Sequence, residues 1–232
     1  MRIRVLTYNI HKGMNATNTL EILASVKAAI DLVNAEVVFL QEVFGDHASI
    51  THTQLEKLAD KVWPHFAYGQ NSVYTKGHHG NAILSKYPIL SHENINISTN
   101  TMEKRGLLHS SISVEGVAMP VHLFCLHLSL FGTGRKKQFE KISARIAQSV
   151  PPDAPLIIGG DFNDWSESFT LFEDVHKVLH GRHAKTFPSF FPVLCLDRIY
   201  FRGMKPLQSE ALTGEPWKRL SDHGALFAEF EI

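Results

Sequence analysis

The side chains in this sequence that could do chemistry recur at one kind of place, the end of a short apolar run. The first such run ends in Asn9-Ile10-His11 and the next in Gln41-Glu42; a later one gives Cys125-Leu126-His127-Leu128-Ser129. Leu156-Ile157-Ile158 leads through Gly159-Gly160 to Asp161, Asn163 and Asp164, and Leu196-Asp197-Arg198 and Ser221-Asp222-His223 complete the set. Residues two apart on an extended chain share a face, so Asn9 and His11 point the same way, as do Asp161 and Asn163. Met singly, each motif is ordinary, because Asp and Asn are common turn formers and a lone strand-end Glu is usually solvated. Six strand ends carrying Asn, Glu, His, Asp/Asn, Asp and Asp/His point instead to one cleft. Converging carboxylates and amides suit a hard cation such as Mg²⁺, which takes oxygen ligands and keeps several waters. No zinc-type Cys/His spacing, phosphate-cradling glycine loop or Gly-x-Ser-x-Gly elbow is present.

Strands and helices must carry these residues to a common point. IRVLTYN, EVVFLQEV, NAILSKYPIL, LLHSSISV, VHLFCLHLS, PLIIGGDF, LDRIYFRG and GALFAEFEI read as strands. FAEFEI alternates cleanly, which predicts a half-buried edge or outer strand. Apolar residues spaced three and four apart (Leu23, Val26, Ile30, Val33) predict a helix over 19–34. Further helices are expected over 51–63, opened by Thr51 as a cap, and over 134–150, stopped by Pro151-Pro152. A weaker pattern covers 168–180. Strands that alternate with helices and then follow one another directly predict two sheets with helices outside them.

The bulk numbers limit the alternatives. The chain has 232 residues, 44% of them hydrophobic, enough for a sizeable core, and no linker or low-complexity tract marks a boundary. One domain over 1–232 is expected. The 23 basic and 23 acidic residues balance, which argues against a broad phosphate-binding face. Cys125 and Cys195 both sit in apolar runs and read as buried thiols rather than a disulfide. The N-terminal stretch lacks a signal-peptide core and no segment is long enough to span a bilayer, so a cytoplasmic protein with no obligate protein partner is expected.

TYNIHKG, LQEV, GNAILSKYPI, LHLS, GGDFND, LDRIY and SDHGAL, in that order, resemble the endonuclease/exonuclease/phosphatase superfamily. That superfamily includes deoxyribonuclease I, apurinic/apyrimidinic endonucleases, neutral sphingomyelinases and inositol-polyphosphate 5-phosphatases. The resemblance implies an α/β fold, a four-layered αββα sandwich of two mixed sheets, and hydrolysis of a phosphate ester that depends on Mg²⁺ or Mn²⁺. By matching position it implies Glu42 as the main metal carboxylate with Asn9 beside it, and Asp222 as a further metal- or water-binding acid. Asp161 and Asn163 resemble the pair that orients the attacking water and the phosphate. His223 resembles the catalytic histidine, with Asp197 orienting it; whether Asp161 or a histidine is the base stays open. His127 falls where the deoxyribonuclease and sphingomyelinase branches carry a second histidine, but no acidic partner for it is evident. Arg105 resembles a substrate-phosphate arginine, and Asn81 reads as a site residue or a turn former. His11 stands where some members carry an acid, which weakens the expectation of a second cation site.

Two substrate classes follow. The two histidines and the basic stretch Arg135-Lys136-Lys137 favour a nucleic-acid phosphodiester, although that stretch also opens a helix and reads as a solvated face. FPSFFPVL (187–194) favours a lipid headgroup ester if its phenylalanines are exposed. A non-catalytic binding domain is disfavoured because Glu42, Asp161, Asn163, Asp222 and His223 are all present. Asp164 and Trp165 read as turn and packing residues.

Overall fold

The computed structural model describes residues 1–15, 21–46, 54–75, 77–165 and 169–232. In chain order the strands are β1 (Arg2–Asn9), β2 (Val37–Asp46), β3 (His65–Tyr74), β4 (Gly77–Ser85), β5 (Ile89–Asn96) and β6 (Gly106–Ile112). They continue with β7 (Val121–His127), β8 (Leu156–Asp161), β9 (Glu173–Asp174), β10 (Asp197–Arg202), β11 (Lys205–Leu212) and β12 (Ala225–Glu231). The helices are α1 (Leu23–Val33), α2 (Gln54–Ala59), α3 (Gly132–Ser149), α4 (Val175–His180) and α5 (Trp217–Leu220), and a 3₁₀ turn covers His11–Gly13.

Two six-stranded sheets form, in the orders β11-β12-β1-β2-β4-β3 and β5-β6-β7-β8-β10-β9. Each is mixed and holds one parallel pair near its middle, β1 with β2 and β7 with β8. A parallel pair needs a crossover, and α1 and α3 supply the two. Three apolar layers result. Ile3, Phe39, Ile83, Leu123, Ile157 and Phe230 pack between the sheets. Val26, Ile30, Leu58 and Trp217 cover the outer face of the first sheet, and Ile142 and Ile146 that of the second. This is the expected four-layered αββα sandwich.

Several elements depart from expectation in instructive ways. The apolar run NAILSKYPIL is two strands, because Pro88 cannot continue a ladder and the chain turns from β4 into β5. FAEFEI is not an edge: β12 lies between β11 and β1, and its glutamates face outward. The helix over 51–63 is reduced to α2, with Thr51 outside the described residues. The start of the first helix pattern (19–20) and Ser168 lie outside them too. The last helix pattern is β9 followed by α4, whose cap is Asp174 accepting from the Lys177 N–H at 2.8 Å. Neither Cys125 nor Cys195 is in a disulfide; Cys125 is buried between the sheets and Cys195 only half-buried. No helix among the described residues is long and apolar enough to cross a membrane.

Candidate active site

The parallel pairs β1/β2 and β7/β8 all end at one edge of the sandwich, and β10 and β12, running the other way, begin there. Asn9, Glu42, His127, Asp161, Asp222 and His223 thereby meet in a cleft of 280 Å³, with Arg105, Asn163, Leu130, Trp165, Phe187, Leu194 and Leu196 lining the rest and Asp197 buried behind His223. A larger hollow of 720 Å³, between α3 and the Phe201–Met204 segment, gathers no comparable cluster of titratable groups.

Asp161 is the hub. Its Oδ2 accepts from Asn9 Nδ2 at 3.1 Å and lies 3.4 Å from His127 Nε2 and 3.6 Å from His223 Nε2. Its Oδ1 accepts from the Asn163 N–H at 3.0 Å, while Asn163 Nδ2 donates to the Leu128 carbonyl at 3.0 Å. Burial raises the Asp161 pKa to about 6; the Asp197 charge adds to this and His223 opposes it. The acids facing His127 are therefore Asp161 and, 3.9 Å from its Nδ1, Glu42. Sequence order hid both because each comes from a different strand. Burial, aided by Arg105, holds the His127 pKa well below its ordinary value, so the ring is neutral.

His223 behaves in the opposite way. Its Nδ1 donates to Asp197 Oδ2 at 2.8 Å. Burial works against the charged ring, but Asp197 and Asp161 outweigh it and lift its pKa to about 10. Thr186, which sequence reading did not single out, donates its hydroxyl to the same Asp197 oxygen at 2.6 Å and accepts from the Asp197 N–H at 3.3 Å. Ser221 Oγ donates to the Asn9 carbonyl at 2.7 Å and so ties the Asp222-His223 segment to β1.

Backbone strain gathers at the same edge. Glu42 (φ 58°), Asn163 (φ 49°), His11 (φ 45°) and Lys12 (φ 59°) are non-glycine residues in the left-handed region. Outside Asn and Asp such residues cost on the order of 1–2 kcal/mol each, and they persist where the surroundings impose them. At Glu42 the cause is a bulge between Leu40 and Val43 in the β2–β4 pairing, which turns the carboxylate into the cleft.

Three oxygen-bearing side chains qualify as metal ligands. Glu42 Oε2 is buried and accepts no hydrogen bond; the Lys12 ammonium lies 3.5 Å from it. Asn9 Oδ1 accepts from the His11 N–H at 3.1 Å, and Asp222 is half-buried beside them, with its Oδ1 3.9 Å from His11 Nδ1. Asp161, Asp197 and His223 also bring ligand-type atoms within 4.8 Å of one another. There the His223 nitrogens face the two carboxylates, an arrangement that suits a charged imidazole better than a metal.

Arg105 reaches the cleft, 3.6 Å from Glu103, with its Nε buried and unpartnered. Asn81 does not reach it: buried on β4, it donates to the carbonyls of Gly106 (3.0 Å) and Cys125 (3.3 Å), fastening one sheet to the other. Asp164 is no turn residue. Fully buried, it sits 3.8 Å from Arg135 Nε and 3.7 Å from Arg198 Nη1. Trp165 is 59% exposed and lines the cleft, with the Arg135 guanidinium over its ring. Arg135, buried and bonded to the carbonyls of Ser129 and Leu130, therefore adds nothing to a basic surface.

Residues 6–223 match the model of the Endonuclease/Exonuclease/phosphatase family. The chain belongs to that family. Escherichia coli K12 YbhP is 39% identical to this chain, over 99% of this chain and 96% of YbhP. The protein VP2298 of Vibrio parahaemolyticus is 23% identical over 99% of this chain and 78% of its own length. Solved structures of the fold include the family protein of Bacteroides vulgatus (TM-score 0.79, 20% identical, covering 100% and 99% of the two chains). A humanized D. rerio TDP2 gives a TM-score of 0.76 at 19% identity, over 100% and 99%. Membership makes the chain a phosphoester hydrolase of the endonuclease/exonuclease/phosphatase type.

Proposed function

We propose that this chain is a divalent-metal-dependent phosphodiesterase in which water attacks phosphorus at the Asp161 edge of the cleft. The observation that carries this reading is the pairing, in one cleft, of a Glu42 oxygen that accepts no hydrogen bond with the Asp161–His223–Asp197 array. Glu42, with Asn9 and Asp222, would hold Mg²⁺ or Mn²⁺, since all three offer oxygen. Such an ion, when bound, neutralises charge on the phosphoryl oxygens and the leaving group. Asp161, whose pKa of about 6 suits a base near neutral pH, takes the proton of the attacking water. Asn163 and His223 donate hydrogen bonds to the phosphoryl oxygens; the charged imidazole is the stronger donor. Asp197 and Thr186 hold that ring in place, neutral His127 steadies Asp161, and Arg105, which also lines the cleft, receives substrate charge.

For the substrate, a nucleic-acid strand is supported by the likeness to D. rerio TDP2, one of whose structures is described as complexed with single strand DNA product. A lipid headgroup ester is supported by a different observation. Phe190 and Phe191 are 71% and 69% exposed beside the cleft, on a segment pinned by Ser189 Oγ donating to the Ser221 carbonyl at 2.6 Å. Two cysteines outside any disulfide accord with a reducing, cytoplasmic setting.

The test is a panel of plasmid DNA, single-stranded DNA, RNA, phosphatidylglycerol, sphingomyelin and an inositol phosphate, offered with Mg²⁺ or Mn²⁺ and with a chelator. Metal-dependent cleavage of one class, lost in Asp161→Ala, is expected. Cleavage of none, or cleavage that survives the chelator, would reject the reading.

A further inference from the structure

The turn after Asn9 carries a cation that the proposed reaction leaves unused. His11 and Lys12 are consecutive left-handed residues, followed by Gly13 at φ 73°. Consecutive non-glycine residues in that region are disfavoured and need to be imposed. Gln54 imposes them. Its Nε2 donates to the Lys12 carbonyl at 2.7 Å, and its Oε1 accepts from the Phe44 N–H at 3.0 Å, two residues beyond Glu42. One side chain thus ties the turn to the bulge and fixes Lys12 against Glu42. The Lys12 ammonium lies 3.5 Å from Glu42 Oε2, the carboxylate oxygen that accepts no hydrogen bond. The Lys12 side chain is 41% exposed and that of Glu42 18%, so the ammonium approaches from the solvent side of the acid.

We propose that Lys12 is a substrate-binding residue, a fixed cation for the phosphate that lets this chain work with a single divalent ion; the proposal rests on Glu42 as the metal carboxylate. A divalent ion on Glu42 and an ammonium at 3.5 Å repel strongly, so binding of the ion frees the ammonium. Its solvent-side stem then lets it turn to the phosphate, where lysine acts as a point charge on phosphate oxygens. The residue two beyond Asn9 is His11 and not an acid, so this position offers a second ion no carboxylate; its Nδ1 lies 3.9 Å from Asp222 Oδ1. A left-handed lysine where glycine would cost less is also the mark of a residue kept for its side chain.

Lys12→Gly separates this role from a structural one, because it removes the ammonium while suiting the backbone. The full chain is titrated with Mn²⁺ by electron paramagnetic resonance, then with inorganic phosphate by calorimetry in the presence of Mn²⁺. Wild type is expected to bind one Mn²⁺ per chain. Lys12→Gly is expected to keep or raise the melting temperature, bind Mn²⁺ as tightly or more so, and bind phosphate at least tenfold more weakly. Lys12→Arg should retain phosphate affinity within about threefold, as another cation on the same stem. Unchanged phosphate affinity in Lys12→Gly, two Mn²⁺ per wild-type chain, or a clear fall in melting temperature would each overturn the proposal. No Mn²⁺ binding by wild type would instead overturn the reading of Glu42, and this proposal with it.

Discussion

His223 Nδ1 and Asp197 Oδ2 meet at 2.8 Å on the floor of the cleft, and neither group is legible without the other. The ring of His223 is charged because Asp197 and Asp161 face its two nitrogens. Asp197 in turn tolerates complete burial because His223 and Thr186 both donate to it. The pair sets the protonation state on which the proposed chemistry depends.

The pH dependence of stability follows from that pair. The His223 pKa in the fold, about 10, lies above the ordinary 6.5. Its contribution is therefore fully present below about pH 6.5 and is lost as pH rises through about 10. In Asp197→Asn, the His223 imidazole midpoint, followed by NMR, is expected to fall towards its ordinary value and the alkaline loss of stability to shrink. An unchanged midpoint would contradict the assignment.

Thr186→Val removes one of the two donors to Asp197 Oδ2 and the hydroxyl oxygen that accepts from the Asp197 N–H, at nearly constant volume. A loss of about 1–3 kcal/mol is expected in urea denaturation, the cost of taking one hydrogen bond from a buried carboxylate and one from a buried N–H. Turnover should fall too, through the looser His223 ring, with little change in KM.

Asp164→Ala is expected to be among the most damaging substitutions for folding. It leaves Arg135 and Arg198 in the core without their shared carboxylate, a loss of about 3–5 kcal/mol. For a chain of this length that corresponds to roughly 10 °C in Tm. Asp161→Ala, three residues away, should cost far less stability and nearly all activity. Thermal denaturation of the two variants side by side checks the contrast.

Phe190→Ser with Phe191→Ser touches only exposed rings, so stability should stay within about 0.5 kcal/mol of wild type. If the substrate is a lipid ester, cleavage of vesicle substrate should drop while a soluble diester is still hydrolysed. Equal losses on both substrates would place the phenylalanines in the cleft's own chemistry instead.

How much of this was legible in the sequence depends on the distance over which each relationship acts. Leu156-Ile157-Ile158 and Leu23/Val26/Ile30/Val33 announce β8 and α1 because periodicity is local. HFAYGQNSVY, which forms β3, goes unread because polar residues interrupt it and its pairing with β4 supplies what its own pattern lacks. Asn9, Glu42, Asp161 and His223 are readable as strand-end motifs, and the cleft does bring them together. Thr186 is not readable: a lone threonine eleven residues before Asp197 looks like any loop residue until the fold turns its hydroxyl inward. Asp164 misleads for the converse reason, since its two arginine neighbours lie 29 and 34 residues away along the chain. Asn81 sits in a motif shared with the site yet works between the sheets, a distinction only packing reveals.

The central claim, metal-dependent hydrolysis of a phosphodiester at Glu42 and Asp161, is tested most directly on a diester that makes no demand on the rim. Hydrolysis of bis(p-nitrophenyl) phosphate is to be followed in the metal-free protein, after addition of Mg²⁺ or Mn²⁺, and in Glu42→Ala. Turnover that appears with metal, vanishes with chelator and falls at least about a hundredfold in Glu42→Ala is the expected result. Turnover that persists without metal, or that Glu42→Ala leaves near wild type, would contradict the account.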